Sequence, residues 1–191
     1  HSPSRRQRQM CIRDRWEDKP IELAKKSDII ITCLPSPIIC AQVMESEIGV
    51  IKGFSAGKIW LEMSTTSKSE VLRISKLVSE IGGYSADCPV SGGCHKAATG
   101  NISIFAGCDR EVFEKIKSIL FIMGKKVLHT GNIGTASVLK VMTNYLATAN
   151  LVSCCEALTT MKGEGLDLAK TFEAIKISSG NSFVHETESQ V

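Results

Sequence analysis

The sequence predicts an α/β fold: a doubly wound parallel sheet followed by the start of an all-α region. Three observations predict it. Short apolar runs alternate with helix-like segments between residues 27 and 131. The clearest run is continuous in its hydrophobicity, as a strand buried on both faces is. From Ala136 the pattern changes to a long stretch with no proline, and no glycine before Gly163.

The elements follow in order. "SDIIITCLP" (27–35) is rich in isoleucine and closed by proline, which suits a buried strand. "KIWLEMST" (58–65) is a second strand ending in Ser64 and Thr65. Ser67 and Glu70 have capping-box spacing for a helix that runs to Gly82 and Gly83. "YSADCPV" (84–90) is a third strand and runs into "SGGCHKAATG". "ISIFAG" (102–107) and "KKVLHTG" (125–131) are the fourth and fifth. Between them Val112, Phe113, Ile116, Ile119 and Leu120 recur at helical spacing. The stretch from Ala136 predicts one helix of about 26 residues, ~40 Å long at the usual rise. Apolar and small residues surround it, so burial on several sides is expected. "LDLAKTFEAIKIS" (166–178) starts another helix.

Composition bounds the function. With 43% hydrophobic and 23% charged residues, the chain is globular. No apolar run is long enough for a membrane helix, so no membrane partner is expected. The net charge of +3 is concentrated at the front, where residues 1–15 hold five arginines against one aspartate. The remainder is near neutral and offers no basic face for nucleic acid. Residues 1–15 read as a non-native or artefactual leader; a mitochondrial transit peptide or an RNA-binding arm is the alternative. The eight cysteines include no C-x-x-C pair, so no metal site is expected. They read as reduced thiols of a cytoplasmic protein, with the mitochondrial matrix as the alternative.

Two stretches carry chemistry. "DCPVSGGCHKAATG" (87–100) places many backbone amides and little bulk directly after a strand, which suits contact with a small anion. In "GNIGTASVLKVMTN" (131–144), Lys140 and Asn144 are four residues apart and share one helix face. A lysine in a segment suited to burial loses hydration and its pKa falls, which fits proton transfer near neutrality. Asn144 can hydrogen-bond a hydroxyl or carboxylate.

Together, Leu34-Pro35, Ser64-Thr65, Pro89-Val90-Ser91-Gly92-Gly93, Ala97, Gly100, and Gly131-x-x-Gly134 with Lys140 and Asn144 resemble the β-hydroxyacid dehydrogenase family. The likeness spans about residues 20–185. It implies a Rossmann-type sheet and a helical C-terminal domain. It implies NAD or NADP as cofactor, and a small carboxylate of the 3-hydroxyisobutyrate or tartronate semialdehyde kind as substrate. By the resemblance, Ser91, Gly92 and Gly93 hold the substrate carboxylate. Lys140 is the general acid/base and Asn144 orients the substrate. Leu34 and Pro35 line the dinucleotide, and Thr65 sits near the nicotinamide ribose. Phe183 would be an apolar wall.

The chain also departs from the family pattern. Thr143 argues against the phosphogluconate branch, and Lys68 and Asn101 are milder changes. The glycine-rich G-x-G-x-x-G motif that opens such sheets does not occur. The chain therefore reads as a fragment truncated at both ends and inactive alone. Residues 16–135 would be a partial dinucleotide-binding domain, and 136–191 the inter-domain helix with the start of a substrate and dimerisation domain. An imine reductase or a non-catalytic binding homologue is the alternative function. A homo-oligomer, dimer or tetramer, is expected when the protein is intact. Asp87 is expected to fix its own loop by local hydrogen bonds, and Trp60 to be core.

Overall fold

The structure is a computed structural model that describes residues 15–188. The leader assigned to residues 1–15 lies, but for Arg15, outside the described residues. The chain divides into two compact units, His1–Lys140 and Val141–Val191.

The first unit runs α1 (Pro20–Lys26), β1 (Ile29–Thr32), α2 (Pro37–Glu45), α3 (Val50–Gly53), β2 (Ile59–Glu62), α4 (Lys68–Glu80) and β3 (Tyr84–Asp87). It continues with β4 (Val90–Ser91), α5 (Gly93–Ala98), β5 (Ser103–Gly107), α6 (Arg110–Met123), β6 (Lys126–Gly131) and the first part of α7 (Thr135–Gly163). β1, β2, β3, β5 and β6 each lie within a segment that the sequence marks as a strand, whereas β4 is a sixth that carries the ladder on to Ser91, in the segment read as a loop. Ser67 accepts a hydrogen bond from the Glu70 amide and starts α4 as its spacing predicts.

Strands β1, β2 and β3 are parallel and in register, Ile30 beside Trp60 and Trp60 beside Ser85. The direction then reverses, so the sheet is mixed. β5 runs antiparallel to β3 and β4, while β6 runs parallel to β5. β3 and β4 lie along one edge of β5 as a single interrupted strand. Pro89 interrupts it, because it has no amide for the ladder, but its carbonyl still accepts from the Phe105 amide at 3.0 Å.

Both faces of the sheet are covered, as the continuous apolar strands require. Trp60 faces a core made with Ala24, Cys40, Met44, Val50, Phe54, Ile74 and Val78, from α1 to α4. Its neighbours Ile59 and Leu61 point the other way, against Val112, Phe113, Ile116 and Leu120 of α6. Alternation along one strand thus serves two cores. Each fully buried side chain of this kind contributes about 1.5–3 kcal/mol. The indole of Trp60 is fully buried, and its Nε1 donates to Thr32 Oγ1 at 2.8 Å.

The second unit contains the rest of α7, α8 (Leu168–Lys176) and α9 (Phe183–Glu188). Asp167 caps α8 by accepting from the Lys170 amide at 2.9 Å. Helix α7 is a single 29-residue element, close to the predicted length. The burial expected of it on several sides is not supplied among the described residues. Only Ala136 and Ser137 are buried, while Val138, Met142, Tyr145, Leu146 and Val152 are exposed. Apolar residues surround this helix instead of forming one stripe, so a single covering face cannot bury them.

Candidate active site

Two loop ends crest the parallel strands. Leu34-Pro35 follows β1 and Ser64-Thr65 follows β2, and the Leu34 amide donates to Ser64 Oγ at 2.8 Å. Pro35 and Thr65 are exposed, and Leu34 is half-buried against the core. Beneath them lies Glu62, the acid of an otherwise apolar strand, only 1% exposed. Its carboxylate accepts from Thr32 Oγ1 at 2.7 Å, from the Cys40 thiol at 2.9 Å and from the Ser64 amide at 2.6 Å. Burial, with Glu62 beside it, pushes the Cys40 thiol far up, so that group is a proton donor only. One buried carboxylate therefore ties the ends of both strands to α2. Sequence reading placed Leu34, Pro35 and Thr65 here and missed Glu62. The available signal was an ionisable residue closing a buried strand.

The Ser-Gly-Gly segment is three kinds of backbone. Ser91 ends β4, paired with Ser103 of β5. Gly92 turns with φ at +132°, and Gly93 opens α5. At that φ a side chain is strained whatever space surrounds it, so only glycine lets the chain turn here unstrained. His95 beside it is exposed.

Lys140 is positioned from across the sheet. Asp87 closes β3 and is fully buried. Its Oδ1 accepts from the Gly134 amide at 2.7 Å and its Oδ2 from the Ser137 amide at 2.6 Å. Beyond the expected local hydrogen bonding, Asp87 caps a helix some fifty residues away. An anion at a helix N-terminus satisfies orphan amides and suits the helix dipole. Burial pushes the Asp87 carboxyl up, and the two amides oppose that shift. The close fit requires Gly107, because a Cβ there would lie 2.3 Å from Asp87 Oδ1 and 3.0 Å from the Ala136 amide.

One turn beyond Ser137, Lys140 is half-buried, and burial lowers its pKa below the ordinary lysine value. Asn144 is a further turn along α7 and exposed. Asp87 thus brings the helix of Lys140 to the strand that leads into Ser91. Phe183 lies in the second unit and is exposed. Among the described residues, no group of histidine, cysteine, aspartate and glutamate could hold a metal ion. None of the described helices is long and apolar enough to cross a membrane.

The residues present fit a dinucleotide. Two adjacent parallel strands end in exposed Pro35 and Thr65, held side by side from below by Glu62. Crevices at the carboxyl ends of such strands are where these cofactors lie.

Comparison with known proteins agrees with this geometry. Residues 3–131 match the profile of the NAD binding domain of 6-phosphogluconate dehydrogenase. Residues 134–190 match that of the NAD-binding region of NADP-dependent 3-hydroxyisobutyrate dehydrogenase. The chain is 36% identical over 167 residues to 2-(hydroxymethyl)glutarate dehydrogenase of Eubacterium barkeri, covering 87% of this chain and 56% of that protein. It is 30% identical over 172 residues to mitochondrial 3-hydroxyisobutyrate dehydrogenase of Mus musculus, covering 90% and 51%. The fold matches the solved 3-hydroxyisobutyrate dehydrogenase of Mycobacterium tuberculosis, determined with L-serine, at a TM-score of 0.80 and 24% identity, covering 87% and 56%. The chain spans about half the length of the curated relatives it matches. The cofactor class is NAD or NADP. With two adjoining profiles accounting for nearly all its length, the chain belongs to the β-hydroxyacid dehydrogenase family.

Proposed function

We propose that the protein carrying this chain is an NAD(P)-dependent dehydrogenase of small β-hydroxyacids, with Lys140 as general acid/base. The observation that supports the reading is the Asp87 carboxylate, which ties the start of α7, the helix that carries Lys140, to the end of β3. The two curated relatives act, by name, on carboxylates bearing a hydroxymethyl group on the neighbouring carbon. That supports a substrate of the same chemistry here.

The dinucleotide, when bound, supplies or accepts the hydride. Lys140 takes the hydroxyl proton in oxidation and returns it in reduction. Its lowered pKa makes the neutral amine more available than in an ordinary lysine. The hydroxyl of Ser91 and the amides of Gly92 and Gly93 hold the carboxylate. Asn144, one turn from Lys140, orients the substrate. Leu34, Pro35 and Thr65 form the wall for the nicotinamide end. The exposed apolar residues of α7 support a homo-oligomer. The free thiols among the described residues suit a reducing compartment, which we take as the cytoplasm.

The test is reduction of NAD and NADP by the protein in its full natural length, across a panel of β-hydroxyacids. Turnover with a hydroxymethyl carboxylate supports the reading. A folded protein that binds dinucleotide and turns over none of the panel refutes it.

A further inference from the structure

A second constellation lies within the second unit. His185 on α9 is fully buried, with its ring against Phe172 at a centroid distance of 4.2 Å. Its Nε2 is 3.0 Å from the Phe172 carbonyl and its Nδ1 is 3.1 Å from the Cys154 sulfur. A carbonyl only accepts, so the network assigns the proton to Nε2 and leaves the Nδ1 lone pair facing the thiol. Cys154 therefore donates its S–H to a base whose orientation is fixed by a third group. That is the arrangement of an activated nucleophile. The ring has little freedom to leave it. The His185 amide donates to Ser182 Oγ at 3.1 Å, and Phe172 backs the imidazole. Cys154 is half-buried on α7, and its neighbour Cys155 is exposed.

We propose that Cys154 is a histidine-activated thiol that exchanges with low-molecular-weight disulfides. In the step, His185 Nδ1 takes the Cys154 proton and the sulfur attacks one sulfur of the small disulfide. A new S–S bond forms as the old one breaks. The departing thiolate takes the proton back from the imidazole and leaves as a thiol. One protein thiol and one disulfide become one mixed disulfide and one small thiol, so atoms and electrons balance. The product replaces the S–H that His185 accepts, so modification removes a hydrogen bond joining α7 to α9.

The test uses a variant with Cys11, Cys33, Cys94 and Cys155 changed to serine, which retains Cys154 and the buried Cys40, Cys88 and Cys108 as its cysteines. Reaction with Ellman's disulfide should show one fast thiol, absent after Cys154→Ser. His185→Gln keeps a donor toward Phe172 but removes the base, and should slow that thiol about tenfold or more. An equal or faster rate for Cys154 in a folded His185→Gln protein overturns the proposal. Unfolding would instead release the three buried thiols together. A second measurement then decides: the unsubstituted protein is treated with limiting glutathione disulfide and mapped by mass spectrometry. Mixed disulfide forming on Cys154 ahead of exposed Cys33, Cys94 and Cys155 upholds the proposal. Modification of those three with Cys154 left unmodified refutes it.

Discussion

The Asp87 carboxylate accepts a hydrogen bond from the Ser137 backbone amide 2.6 Å away, fifty residues further along the chain. With the Gly134 contact it does from another strand what an N-cap residue does locally. The consequence is that Lys140, one turn on, has its position set by the end of β3. Five expectations follow from this site and from the strand ends beside it.

Asp87→Asn keeps the side-chain size but replaces one acceptor with a donor facing a backbone amide. A bond of this kind to a charged group is worth about 1.5–3 kcal/mol, and an unmatched buried donor adds to the loss. The urea midpoint should fall accordingly. A variant with the original midpoint would show that the cap contributes nothing.

Gly107→Ala tests the same junction by crowding it. The added methyl would meet Asp87 Oδ1 at 2.3 Å and the Ala136 amide at 3.0 Å. Overpacking of this sort typically costs about 1–3 kcal/mol. Thermal denaturation should show a lowered midpoint, and amide exchange should quicken at the first turn of α7. Exchange unchanged there would contradict the close fit.

Glu62→Ala removes the acceptor of three buried donors, from Thr32, Cys40 and Ser64. A loss of about 3 kcal/mol or more is expected, since several buried groups go unsatisfied together. Where the protein still folds, calorimetry should find weaker dinucleotide binding, because Leu34 and Ser64 lose their support. Full stability with unchanged affinity would remove Glu62 from the account.

Lys140→Ala should lower turnover by about 10²–10⁴-fold, the usual worth of a positioned acid or base. Dinucleotide affinity should barely change. Near-normal turnover would end the proposed role of this residue.

The pH dependence carries a sign. Burial disfavours the Lys140 ammonium, so its pKa lies below the ordinary lysine value of about 10.4. Oxidation needs the neutral amine. Its rate should therefore rise with pH to a plateau reached below the pH at which a solvated lysine would titrate. Lys140→Arg should abolish that rise, because a guanidinium stays protonated throughout. A profile that still rises in the arginine variant would assign the base elsewhere.

Much of the fold was legible in sequence, and the reasons are local. Isoleucine-rich runs closed by proline or glycine specify strands, and apolar spacing specifies α6. Ser67 caps its helix through the amide three residues on, as the spacing to Glu70 states. The positions of Leu34, Thr65, Ser91 and Gly92 at strand ends also follow from where those runs stop. Such signals act within a few residues, so the chain states them directly.

What only tertiary structure decided depends on topology. Sequence does not say that β5 lies antiparallel to β3, because nothing local records strand direction past Pro89. It assigned Asp87 to its own loop, while burial at the end of β3 aims the carboxylate at amides 47 and 50 residues away. Glu62 reads as one acid in an apolar strand until the sheet brings Thr32 and Cys40 to it. His185 is a solitary imidazole until α9 seats it between Phe172 and Cys154. A buried polar group takes whatever partner the fold delivers, since leaving it unpaired costs more than almost any hydrogen bond it can find.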